Sequence, residues 1–238
     1  MHTTWQSMRF SMGTQLLVKL MFRGQKLLGR HHYDDFIVER IGQVPILVTP
    51  SVFNPKRLRT GAFFASVLDG RLVAAQTSVL DMGTGSGICS VFAARYAERV
   101  VAVDVNPAAV RCARINALLN HVEQRIDARL GDLFDAVAGE RFDLILFNPP
   151  FLHGTPRDDR ERAWRSDDVA ERFAADLQAH LTPSGFALVL LSTFGTSMRF
   201  FEELQRRDHD LSVFARCEYL GEHLTIFKVT APALGARP

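Results

Sequence analysis

Cysteine is scarce: Cys89, Cys112 and Cys217 are the only three in 238 residues, and none belongs to a C-x-x-C. That spacing argues against a disulfide framework or a zinc ribbon and suits a reducing compartment, with the thiols packed as small hydrophobes. The eight histidines form no H-x3–5-H pair near a cysteine, so no metal site is expected. No apolar run approaches the roughly 18 residues that a membrane span needs. The stretch GTQLLVKLMFRGQKLL (13–28) carries Lys19 in its apolar centre and no A-x-A site follows. It therefore reads as an amphipathic helix that packs on the domain or on a partner, not as a signal peptide. Internal repeats, low-complexity tracts and flexible linkers are missing too. The expectation is a soluble, cytoplasmic chain with no membrane partner.

What is present is ordinary in bulk and uneven in detail. A hydrophobic share of 47% and a charged share of 23% are those of a globular protein with room for a substantial core. The net charge of +2 hides an asymmetry: residues 1–60 hold nine Lys and Arg against three acids, and the remainder 19 against 23. A basic leading segment is either a solvated arm or the footprint of an anionic partner such as RNA.

From about residue 70, short β-rich runs alternate with helical stretches, the signature of βαβ units and a parallel sheet. Strands are expected at 77–83, 99–106, within 125–134 (a strand and a loop), and at 142–150, 185–192, 211–220 and 223–230, seven in all. Helices are expected at 86–97, 107–120, near 167–181 and at 195–207, with Pro107 in a first turn, where proline is tolerated. Gly221-Glu222 leaves room for a hairpin but not for a parallel crossover, so one strand near the end should run antiparallel. Upstream, FIVERIGQVPILVTP (36–50) reads as two short strands turning at Gly42-Gln43, and a helix opens near Thr60, a residue type suited to an N-cap. The division expected is a basic extension over 1–50 and an α/β domain over 51–238.

The run Asp81-Met82-Gly83-Thr84-Gly85-Ser86-Gly87 sits where a strand turns into a helix. Glycines there let the main chain approach a ligand, and the helix start offers unpaired N–H groups. A dinucleotide fingerprint would need a glycine at position 88, which is Ile88. With no Tyr/Lys or His/Asp constellation besides, a nicotinamide reductase is disfavoured. Asp81, two residues ahead of the first glycine, suits a cationic ligand. Asp104 ends the next strand, where a carboxylate accepts ribose hydroxyls. Gly131-Asp132-Leu133 ends the third, placing Asp132 for an adenine amino group and Leu133 for the ring.

Together these residues resemble the class I S-adenosylmethionine-dependent methyltransferases over roughly residues 75–230. The resemblance implies a Rossmann-like, mostly parallel seven-stranded sheet with an antiparallel terminal strand and helices on both faces. It implies S-adenosylmethionine as cofactor, held by Asp81, Gly83, Thr84, Gly85, Gly87, Asp104, Val105, Asp132, Leu133 and Asn148. Asn148-Pro149-Pro150-Phe151 follows the fourth strand and resembles the motif of methyltransferases that modify planar nitrogens. Catalytic roles follow for Asn148 and Pro149, whose oxygens take N–H groups of the acceptor, and for Phe151, whose ring faces its plane. Positive charge growing on that nitrogen would be stabilised by the same two oxygens.

The segment 44–68, the NPPF motif and the Ala163-Trp164 pair also look like the release-factor glutamine methyltransferases (HemK-like), which places Thr60 near the methionine end of the donor. Some 35 leading residues leave no room for the separate helical recognition domain of the bacterial enzymes. Ribosomal-RNA guanine-N2 methyltransferases share NPPF followed closely by a histidine, here His153 after an intervening Leu152. The charged run 155–172 is a solvated face or a lid anchored by Trp164. The acceptor is thus a glutamine amide or an RNA base, with a small heterocyclic or amide metabolite, or a non-catalytic donor-binding module, as alternatives.

Overall fold

Arg99–Asp104 has the sequence RVVAVD, and its middle residues are buried on both faces. Such a strand belongs in the middle of a parallel sheet covered on both sides. The computed structural model, which describes residues 35–56, 59–150, 152–153, 165–166, 168–193, 197–219 and 222–231, places it there.

In chain order the elements are β1 (Ile37–Ile41), β2 (Val44–Val48), α1 (Thr60–Ser66), β3 (Ser78–Met82), α2 (Ile88–Ala94), β4 (Arg99–Asp104), α3 (Pro107–Leu119) and β5 (Ile126–Leu130). A 3-10 turn (Leu133–Val137) and β6 (Phe142–Phe147) follow, then two-residue strands β7 (Leu152–His153) and β8 (Arg165–Ser166). The chain continues with α4 (Val169–Asp176), a second 3-10 turn (Leu177–His180), β9 (Leu181–Ser192), α5 (Ser197–Arg206), β10 (Asp210–Tyr219) and β11 (Glu222–Thr230).

Seven of these strands form one sheet in the order β10-β11-β9-β6-β3-β4-β5. All pairings among β9, β6, β3, β4 and β5 are parallel, and β11 runs antiparallel to both β9 and β10. The antiparallel strand is last in the chain but lies one place in from the edge, which β10 occupies. Side-chain alternation then builds a core on each face. Leu80, Met82, Ile145 and Phe147 face α4 and α5, while Val79, Leu144 and Leu146 face α1, α2 and β2.

Several boundaries differ from the sequence reading. β9 starts at Leu181, four residues early, because its opening residues pair around Phe142 across a register shift. The helix expected near 167–181 tightens into the second 3-10 turn at Leu177. Thr60 is not an N-cap: Arg59 occupies that position with φ 61°, and no side chain caps the helix. α3 starts as expected, with Pro107 in its first turn and Asn106 Oδ1 accepting from the Ala108 N–H at 2.9 Å. Cys89 and Cys112 are buried, but Cys217 on β10 is only partly so. The expected helix at 13–28, and Phe151 and Trp164, lie outside the described residues.

The register fixes the site. Met82 pairs with both Phe147 and Val103, and Asp104 pairs with Leu130. Asn148, Gly83, Asp104 and Gly131 therefore stand in one row along the carboxyl edge. Between β3 and β6 the chain reverses its direction of travel across the sheet, and ligands of open α/β sheets bind in the crevice at such a point.

Candidate active site

A cavity opens along that row. Its floor is the loop Gly83–Ser86, and its sides are Asp104–Asn106, Gly131–Leu133 and the Asn148 strand end. Ser51–Phe53, Pro55, Thr60 and Gly61 close it from the N-terminal side. Of the residues singled out in the sequence, Thr60, Gly83, Thr84, Gly85, Asp104, Val105, Asp132, Leu133 and Asn148 meet here.

Asp81 and Gly87 do not line it. Asp81 is buried under the loop, where its Oδ2 accepts from Thr84 Oγ1 at 2.6 Å, the Ser90 N–H at 2.9 Å and Ser90 Oγ at 2.5 Å. Burial raises its pKa, and the hydroxyl and amide donors oppose that rise. Its place is that of a strut which folds the loop over β3. Gly87 has φ 78°, and a Cβ there would lie 2.8 Å from the Ala113 Cα. Close packing of α2 on α3 demands the glycine. At Gly85, with φ 56°, an added Cβ would meet nothing nearer than the Gly83 carbonyl at 4.0 Å, because the space beyond is cavity.

Asp104 accepts the Gly85 N–H at 2.9 Å on one carboxylate oxygen and the Asn106 N–H at 2.8 Å on the other. Burial is the larger influence and lifts its pKa to about 6, against those backbone donors; the charge of Asp81 adds to the rise. Asp132 Oδ2 is held by Arg172 Nη1 of α4 at 2.8 Å.

Asn148 ends β6 with its amide split between two environments. Its Nδ2 lies 3.3 Å from Thr60 Oγ1, and its Oδ1 is buried with no hydrogen-bond partner among the described residues. Buried polar atoms of native proteins nearly always have a partner, so an orphan on a cavity wall marks a place for a ligand. Ser86, in the cavity floor, carries a second such atom, its Oγ. Pro149 is buried and Pro150 lines the cavity.

The sequence reading missed some of this. Ser86 carried a signal, being a polar residue inside the glycine run. Asn116 carried one too: it is a fully buried asparagine inside a helix. Its Oδ1 accepts the Leu47 N–H at 2.7 Å, and its Nδ2 donates to the carbonyls of Leu47 at 2.6 Å and Ser86 at 2.8 Å. The Arg172 contact with Asp132 had no local signal.

Comparison with known families decides what this geometry belongs to. The family described as "Methyltransferase small domain" matches residues 43–209. The chain belongs to that family. Among relatives of this methyltransferase, the ribosomal RNA small subunit methyltransferase C of Alcanivorax borkumensis is 34% identical over 57% of the chain and 39% of the relative. The putative protein N5-glutamine methyltransferase of Methanocaldococcus jannaschii is 32% identical over 62% and 78% respectively. The release factor glutamine methyltransferase of Koribacter versatilis is 32% identical over 60% and 56%. The methyltransferase thus spans about half of two of these relatives and most of the third. Its fold is that of the T. thermophilus 16S rRNA N2 methyltransferase solved with AdoMet and guanosine (TM-score 0.63, 21% identity, 83% of this chain and 50% of that one).

S-adenosylmethionine is the methyl donor that goes with this family and fold, and the cavity suits it. Asp104 keeps acceptor capacity beyond its two backbone donors, since a carboxylate has about four acceptor sites. Open space lies over Gly85, and the unpartnered Ser86 hydroxyl can donate as well as accept. No group of three or more metal-ligating side chains occurs among the described residues, and no helix among them is long and apolar enough to cross a membrane.

Proposed function

We propose that this methyltransferase methylates a planar nitrogen, the amide of a glutamine side chain or the exocyclic amine of an RNA base. One observation carries the reading: Asn148 lines the cavity, and its buried Oδ1 has nothing to accept from among the described residues. A planar nitrogen is a poor nucleophile because its lone pair is delocalised, and it carries N–H groups that need acceptors. Asn148 Oδ1 takes one N–H and the Pro149 carbonyl the other, which aims the lone pair at the methyl. Phe151 supplies a flat face. When bound, the donor supplies a methyl on a positively charged sulfur. As the N–C bond forms and the S–C bond breaks, positive charge moves onto the acceptor nitrogen, where the two oxygens stabilise it. The surplus proton then leaves to water, so no strong base is needed.

Gly83, Thr84, Gly85, Ser86, Asp104, Val105, Asp132 and Leu133 are proposed to hold the donor, with Asp81 and Gly87 shaping the loop from beneath and Thr60 closing the cavity beside Asn148. The relatives' named substrates, release factor and RNA, support this acceptor class.

The test is Asn148→Ala, assayed by calorimetry with S-adenosylhomocysteine and by transfer of a labelled methyl into cell extract. Product affinity should stay within about threefold, while transfer should fall roughly 10²- to 10³-fold, as when one transition-state hydrogen bond is lost. Unchanged transfer in a variant that binds normally removes Asn148 from the chemistry.

A further inference from the structure

We propose that Thr60 is a positioning residue for methyl transfer: its hydroxyl fixes which end of the Asn148 amide faces the acceptor. This rests on the reading above, in which Asn148 Oδ1 receives an acceptor N–H.

A primary amide is nearly symmetric in shape, and a half-turn exchanges one acceptor for two donors. Packing alone cannot tell the two orientations apart, so a hydrogen-bond partner must. A rotated amide would point N–H groups at the acceptor's own N–H groups and repel it. The Asn148 Nδ2 has such a partner in Thr60 Oγ1, 3.3 Å away, and the Oδ1 has none. A hydroxyl can also donate, so the reversed arrangement needs a reason to lose. Reversal would leave two N–H donors buried in place of one unmet acceptor, and unmet buried donors are costly.

The placement of Thr60 supports the assignment. It is 5% exposed and begins α1, yet the helix does not use its hydroxyl as a cap, because the capping position falls on Arg59. The side chain instead reaches a residue 88 positions away. Its backbone is held firmly: a Cβ at Gly61 would lie 2.7 Å from the Pro55 Cβ and 3.4 Å from Ile88 Cγ2, so this first turn is seated without slack.

The experiment compares Thr60→Val, which keeps the shape and loses the hydroxyl, with Thr60→Ser, which keeps the hydroxyl, in the full chain. Three readouts are taken: S-adenosylhomocysteine affinity by calorimetry, labelled-methyl transfer into cell extract, and the 15N side-chain amide signal of Asn148, assigned by its loss in Asn148→Asp. In Thr60→Val the amide signal should shift and its exchange with water should quicken. Transfer at saturating donor should fall roughly tenfold, the loss of one neutral hydrogen bond. Product affinity should stay within about threefold of wild type, and Thr60→Ser should recover most of the rate. An Asn148 signal indifferent to Thr60→Val overturns the proposal, as does a freed amide with undiminished transfer. A rate loss matched by an equal loss of product affinity also overturns it, since Thr60 would then act only through the donor. Wild-type protein that binds product yet labels no acceptor sinks the functional reading, and the inference with it. A working wild type with an indifferent Thr60→Val sinks the inference alone.

Discussion

Asp81 and Asp104 look alike in sequence, each near the end of a parallel strand beside the glycine loop, but they do different work. Thr84 and Ser90 fold their hydroxyls onto Asp81 and leave it no view of the cavity, whereas only backbone N–H groups reach Asp104. Spacing told us that acids end these strands. Which of them faces a ligand depended on where two hydroxyls turned. The Asn148–Thr60 contact was equally illegible, since 88 residues separate the pair. The proposed donor-holding role of Asp104 has a pH signature. With its pKa raised to about 6, the carboxyl is largely protonated at pH 5, when it can accept less from ribose hydroxyls. Affinity for S-adenosylhomocysteine should therefore strengthen as pH rises through 6, by up to about tenfold per pH unit below it. Stability of the ligand-free protein should move the opposite way. The folded-state value lies above the usual 3.8, so this group's contribution is fully present below about pH 4 and is lost as pH rises through 6. Calorimetry between pH 5 and 7.5 checks the first trend and thermal unfolding the second. In Asp104→Asn the affinity profile should flatten.

At the level of elements, the legible boundaries were those with local chemistry. The hairpin turned at Gly42 because its φ of 57° suits glycine, and α3 began at Pro107 behind a capping Asn106. The start of α1 was harder to read: Arg59 takes a left-handed conformation that no sequence preference announces. Packing between elements was less visible still. Asn116 of α3 binds the β2 backbone at Leu47 and the loop carbonyl of Ser86, tying the hairpin to the floor of the cavity. Asn116→Ala strands the Leu47 N–H and removes a donor from both carbonyls in a dry setting. A loss of roughly 2–4 kcal/mol is expected, from the penalty of unmet buried groups. Urea unfolding would show it as a lower midpoint with unchanged slope, and hydrogen exchange should speed up at the Leu47 amide. A loss below about 1 kcal/mol would mean that water or a shifted side chain replaces the clamp.

For the whole molecule, the parallel sheet and its reversed strand were readable from run lengths and the two-residue connection. Which strand neighbours which was not, because hydrophobic periodicity reports burial and is silent about the identity of the neighbour. The choice of acceptor belongs to this scale as well, since it depends on the entire surface and on charge held outside the described residues. Arg9, Lys19, Arg23, Lys26 and Arg30 put five cations into the first 34 residues against a single acid, Asp34. If these cations meet the phosphates of an RNA acceptor, each contact releases counterions on binding. Five contacts on single-stranded RNA imply a slope of log affinity against log salt near −3.5, at about −0.7 per contact. Mobility shift with bulk RNA across a salt series measures that slope. Replacing the five with Gln in the full chain should bring it close to zero while leaving S-adenosylhomocysteine binding intact, because none of the five is among the residues proposed to hold the donor. A flat profile in the wild-type protein would reject RNA and favour a protein or small-molecule acceptor. The two acceptors present the same planar NH-bearing group to Asn148, so the cavity alone serves either, and the discrimination must come from charge at a distance.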